Sequence, residues 1–267
     1  MAFKIKSLTR DAKKVIKGKF NPSRAAELKF QKALRKVAQV SGHIIDNYAD
    51  GVTLKDKDKM QAALKSYSDA LTPWAERQSA RLLDQVQRSN KRAYQQKSKA
   101  MGSALKFGVG DKEVGQVARA LQNEQVALIK SIPIEAGLRA QKIASDAFFE
   151  GLRAQPDQSV IDRLTKEMGM TTEVATNRAK LIAVTETARA NATINQARAT
   201  AVGSTSYRWH NSGDGAVRES HKVYKGKRMQ GQVFRWDSPP TLDDGMTGHP
   251  GTFPRCRCFA EPIFETE

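Results

Sequence analysis

AKLIAVTETARANATINQARATAVGSTSYRWH, from Ala179 to His210, holds the point where the chain changes its pattern. Up to Ala201 the stretch is rich in alanine and other small residues, with no glycine or proline. That composition favours helix and lets another element approach closely. Gly203 then breaks the run. Tyr207 to His210 sets aromatic residues against polar ones at a period of two, which is the pattern of a half-buried strand. The stretch therefore predicts a helical body on one side and a small, strand-containing module on the other. The fold class is mainly α: an elongated helical body over 22–202, then a C-terminal α+β module over 203–267.

Upstream, the spacing is helical. Pro22-Ser23 reads as a helix start, followed by a stripe of Ala26, Phe30, Ala33, Val37, Val40 and Ile44. Gly51 marks a break, and Thr53 or Asp56 can cap the next helix, with Met60, Leu64, Tyr67 and Leu71 on its apolar side. Pro73 suits the first turn of a long, highly charged helix carrying Leu82, Val86 and Ala93. Gly102, Gly108 and Gly110 punctuate again. Asp111 can cap a helix with Val114, Val117, Leu121, Leu128 and Ile132. Pro133 is expected to end that helix and start another, with Ala144, Phe148 and Leu152 packing. Pro156-Asp157 and Met168 to Thr172 precede the last helix, expected over 173–201.

From Gly203 onward lie eight of the eighteen aromatics, eight of the eighteen glycines and five of the nine prolines. Strands are expected at 207–210, 231–236 and 258–264. A turn is expected at 211–215, a short helix or extended arm at 217–224, and an irregular loop at 239–254.

Charge is unevenly placed. The chain has a net charge of +17, and residues 1–40 hold twelve Lys/Arg against Asp11 and Glu27, a net of +10. Residues 203–267 carry nine basic and eight acidic groups. An N-terminal basic arm over 1–21, with Lys4, Lys6, Arg10, Lys13, Lys14, Lys17 and Lys19, suits contact with phosphate, and a solvated helix face is the plainer reading. The N-terminus lacks the apolar core of a secretory signal, and no apolar run reaches the roughly 20 residues of a membrane span. Folding in a reducing cytoplasm is the simplest expectation.

Both cysteines fall in HPGTFPRCRC, 249–258. His221, His249, Cys256 and Cys258 supply the two nitrogens and two sulfurs of a tetrahedral structural zinc site. The spacing departs from the usual C-x₂₋₄-C knuckle. Two packed thiols beside a hydrogen-bonded histidine are the alternative, and a disulfide across one residue would be strained. Asp214, Arg218 and His221 are spaced to form a polar cluster beside Trp209, and Glu186 and Arg189 can pair on one helix face. No Walker loop, dinucleotide fingerprint, nucleophile elbow or H-E-x-x-H is present, so the residues give no positive case for an enzyme.

The tail resembles the phage Mu F-like head morphogenesis family, the minor head proteins of tailed phages. The resemblance is carried by Trp209, Asp214, Val217-Arg218, His221, Gly226, Phe234, Pro239-Pro240, His249-Pro250 and Cys256-Arg257-Cys258, over about residues 177–264. Thr185-Glu186 and Arg189-Ala190 fit the lead-in. Six residues, PGTFPR, separate His249 from Cys256, where the family often has a shorter link. The resemblance implies a non-enzymatic virion protein in the head interior or at the portal vertex, passing through the host cytoplasm during assembly. Its expected partners are the portal protein or the major capsid protein, and packaged double-stranded DNA. Attachment to a ring would make it multicopy. The roles implied are head assembly, DNA packaging or DNA ejection. Two other readings stand beside this one: a metal-dependent nuclease using His221, and an ejected protein whose basic helices meet a membrane.

Overall fold

The computed structural model describes residues 20–101, 111–151, 157–215 and 217–264. Among these, the chain is helical up to Ala201 and then forms short antiparallel strands, the fold class read from the sequence. The helices are α1 (Arg24–Asp46), α2 (Lys57–Ala70), α3 (Thr72–Met101), α4 (Asp111–Gly151), α5 (Gln158–Gly169), α6 (Thr171–Ala201) and the one-turn α7 (Glu219–Lys222). A two-residue hairpin, β1 (Ala49–Asp50) and β2 (Thr53–Leu54), turns at Gly51. Asp56 caps α2 by accepting from the Lys59 amide, and Asp157 caps α5 by accepting from the Ser159 amide. Each satisfies a helix-end donor that would otherwise lack a partner.

Two compact units form. One comprises Leu28–Ala80 and Gln122–Ala183. On α1 the buried stripe is Phe30, Leu34, Val37, Ala38 and Ile45. Val40 and Ile44, expected on that stripe, are exposed and half-buried. The buried side chains Phe30, Leu34, Val37, Ala38, Ser41 and Ile45 centre on the side of Leu34 and Ser41, and Val40 and Ile44 fall on one flank of that stripe. Met60, Leu64 and Leu71 are buried as expected. Ser79 donates to Gln125 at 2.6 Å and Ser68 to the Lys130 carbonyl at 2.9 Å, tying α3 and α2 to α4.

Pro133 does not end its helix: α4 runs unbroken through it for 41 residues. A proline inside a helix costs about 3 kcal/mol through the lost amide and the ring's clash. Here Ile129, Ile132, Ala136 and Ala140 are buried on both sides of it, and that packing outweighs the local penalty. Phe148 is 64% exposed, contrary to the expected packing; Ala136, Ala140, Ile143 and Ala147 form the buried face instead. Leu152 and the glycines at 102, 108 and 110 lie outside the described residues.

The other unit comprises residues up to Glu27, Arg81–Leu121 and Val184–Glu267. Its sheet has the order β6-β3-β7, with β3 (Ser206–His210) central between β6 (Val233–Arg235) and β7 (Phe259–Ile263), both antiparallel to it. A second small hairpin pairs β4 (Val223–Tyr224) with β5 (Lys227–Arg228). Tyr207, Trp209, Met229, Trp236, Phe253, Phe259 and both cysteines form one buried cluster with Tyr94 and Phe20. Phe20 falls in the stretch expected to be an arm, yet it is buried and meets Tyr94 edge-on at 5.4 Å. The seven basic residues expected to touch DNA, Lys4 to Lys19, lie outside the described residues.

Two asparagines one turn apart on α6 organise this unit. Asn191 donates to the Phe20 carbonyl at 2.9 Å, and Asn195 to the Ala260 carbonyl of β7 at 2.9 Å. The Tyr94 hydroxyl and Asn90 amide donate to Asn195, and Arg198 donates to Asn90 and Asp111. A satisfied buried network of this kind fixes one arrangement of its elements.

Candidate metal centre

Cys256 and Cys258 flank Arg257 just before β7. Alternation along extended chain sends the two thiols to one side and the arginine to the other. The arginine side is anchored. Arg257 meets both carboxylate oxygens of Glu27, Nε to Oε2 at 2.9 Å and Nη2 to Oε1 at 3.0 Å, and reaches Asp214 at 3.2 Å. Glu27 is buried and is also paired with Arg24. A buried carboxylate held by a two-pronged guanidinium is a strong, geometrically specific contact.

The thiol side faces His221. Its Nδ1 lies 3.4 Å from Cys256 Sγ and 3.6 Å from Cys258 Sγ. The three ligand atoms all lie within 4.8 Å of one another, and the three residues are 1%, 6% and 2% exposed. α7, a single turn, delivers His221. Trp209 meets its ring edge-on at 5.6 Å, and Phe253 lies against it at 5.0 Å. Its Nε2 is buried with no hydrogen-bond partner among the described residues. Both cysteines are free. A hydrogen bond from Cys258, with a further contribution from His221, outweighs burial and lowers the Cys256 thiol, while the same bond and burial push Cys258 up.

His249 is not in this group. Its Nδ1 lies 3.0 Å from the Tyr207 hydroxyl and its Nε2 lies 3.3 Å from Gln196 Nε2. Burial lowers its pKa below the ordinary histidine range, against a backbone hydrogen bond at Trp236 that raises it. It closes the far side of the aromatic cluster, beside Trp236. The loop between it and the cysteines packs on α6. Gly251 adopts φ +91°, and a Cβ there would sit 3.1 Å from Ala192 Cβ and 3.3 Å from the Ala188 carbonyl. This is the close approach that the small residues of α6 permit. The Arg255 amide donates to Thr185 Oγ1 at 3.1 Å on the same helix.

The expected trio of Asp214, Arg218 and His221 turns to separate partners. Asp214 meets Arg257, Arg218 donates to the Pro254 carbonyl at 2.7 Å, and His221 faces the cysteines. Trp209 is buried and donates to Asn211 Oδ1 at 3.2 Å. Glu186 and Arg189 approach to 3.8 Å on one face of α6, with Glu186 buried.

A second buried polar chain carries no motif in the sequence. Lys97 donates to Glu261 Oε1 at 2.9 Å, and Glu261 Oε2 lies 2.8 Å from His210 Nε2. Gln230 Nε2 sits 2.8 Å from His210 Nδ1, and its Oε1 accepts from the Asn211 amide. The glutamine oxygen is thereby engaged, so its amide nitrogen donates to Nδ1, and Nε2 carries the proton given to Glu261. Burial opposes the Glu261 charge, but His210 and Lys97 outweigh it and hold the carboxyl at about 2.

Residues 149–261 match the family model described as Phage Mu protein F like protein, in the C-terminal portion of the chain where the sequence shows its resemblance. A protein of Haemophilus influenzae, described as uncharacterized, is 32% identical over 152 residues, which is 57% of this chain. The matched part spans 30% of that relative's length. No solved structure matches the chain.

Proposed function

We propose that the chain is a non-enzymatic minor head protein of a tailed phage. It sits at the portal vertex or inner capsid wall, acts in head assembly, DNA packaging or DNA ejection, and touches packaged DNA without reading its sequence. The observation that carries this is the Mu F-like domain over residues 149–261. The domain's near-neutral C-terminal module is suited to contact with protein, either portal or major capsid. The DNA part rests on charge. Besides the basic stretch 4–19, α1 presents Lys29, Lys32, Arg35 and Lys36, all exposed. None of the four has an ion-pair partner among the described residues. Three of them recur at helical spacing, which makes a stripe suited to a phosphate backbone.

Co-expression with the portal and capsid proteins, followed by isolation of procapsids, tests the assembly role. The chain is expected in the particles, and procapsids lacking it with normal partners present would count against the role. Duplex binding that weakens steeply as salt rises is the expected signature of the DNA role. Failure to bind duplex at low salt would remove it.

A further inference from the structure

We infer that His221 Nδ1, Cys256 Sγ and Cys258 Sγ form a zinc site that staples α7 to the approach of β7. The ligand atoms converge from two segments 35 residues apart in sequence, and all three residues are buried. Two thiolates and one imidazole are a soft, mixed donor set that selects zinc over magnesium or calcium. Zinc binds such cysteines as thiolates, so its uptake releases their thiol protons and is expected to strengthen as pH rises.

The ligand set has three protein members, with His249 excluded because both its ring nitrogens face other groups. Trp209 and Phe253 wall the ring of His221 and keep bulk solvent away from it. The ion's role is structural. It joins the short helix that precedes the 239–254 loop to the strand that follows it.

Metal analysis of the full-length chain, purified without added metal, tests this independently of any role in the phage head. About one zinc per chain is expected. His249→Ala is expected to keep that zinc, and the Cys256→Ser, Cys258→Ser double variant to lose it. Should the double variant fail to fold, wild-type protein still decides. Stripped with a chelator and refilled with Co²⁺, it should show the thiolate-to-cobalt charge-transfer absorption of a two-sulfur tetrahedral site, and stripping should lower its melting temperature. Folded wild-type protein with no zinc and no such absorption would overturn the site. So would zinc retained by the double cysteine variant, or zinc lost from folded His249→Ala protein.

Discussion

Gly251→Ala is expected to destabilise the C-terminal unit by about 2–5 kcal/mol, a sum of two separable costs. The first is backbone conformation. Gly251 has φ +91°, and a side chain in the left-handed region costs about 1–2 kcal/mol. The second is space. The new Cβ would lie 3.0 Å from the Cys258 carbonyl oxygen, 3.1 Å from Ala192 Cβ and 3.3 Å from the Ala188 carbonyl oxygen. Two of these three atoms are backbone, so no side-chain rotation relieves them, and overpacking of this kind costs about 1–3 kcal/mol. Gly245→Ala is the control. Gly245 has φ +82°, but nothing lies within 4 Å of a Cβ placed there. Its replacement should cost only the backbone share, about 1–2 kcal/mol. Trp209 and Trp236 are buried in this unit and Trp74 belongs to the other, so urea titrations followed by tryptophan fluorescence on a Trp74→Phe background read the unit directly. The Gly251 variant should have the lower midpoint, by about 0.3–1 M at a slope of about 3 kcal/mol/M. Equal midpoints for the two variants would rule out the close packing of the 249–258 loop on α6.

Two further outcomes are expected. Glu261 has its pKa depressed to about 2 from 4.5, so its stabilising contribution is complete above about pH 4.5 and is lost as pH falls towards 2. Glu261→Gln should therefore flatten the fall in melting temperature across that window, and parallel wild-type and variant curves would contradict the Lys97–Glu261–His210 arrangement. Replacing Lys29, Lys32 and Lys36 together by glutamate should weaken duplex binding and make the log-log salt dependence shallower by about one for each phosphate no longer neutralised; an unchanged slope, measured by fluorescence anisotropy, would place the DNA-binding surface elsewhere.

Much of the architecture was legible because it rests on local signals. Asp56, Asp157 and the Met168–Thr172 break act within one helical turn, so their positions in the sequence mark helix ends directly. The strand at 207–210 shows in the alternation of aromatic and polar residues. The failures are tertiary. Pro133 reads locally as a terminus, but the isoleucines and alanines around it are buried, and no local rule weighs that. Phe148 has the right spacing and yet lies exposed, whereas the alanines beside it are the residues that pack.

The metal cluster was legible by residue type and only partly by geometry. Cys256, Cys258 and His221 carry donor chemistry that stands out in any sequence. His249 carries it equally, and only the fold shows Tyr207 and Gln196 against its ring. Glu27 and Asn195 were invisible because their partners lie far away in sequence: Arg257 for the first, Tyr94 and Ala260 for the second. A glutamate in the first turn of α1 is ordinary on helix-dipole grounds. Its burial against Arg257 has no signature before the two segments meet. The Asn191 and Asn195 pair did carry a faint signal, two polar residues at i and i+4 in an alanine-rich helix.

Quantitative mass spectrometry of purified phage particles, produced by cells that carry this gene, decides whether the chain is a minor head protein. It should be present in every preparation, at a copy number far below that of the major capsid protein and in fixed ratio to the portal protein. Infectious particles of normal composition that contain none of it would contradict the assignment.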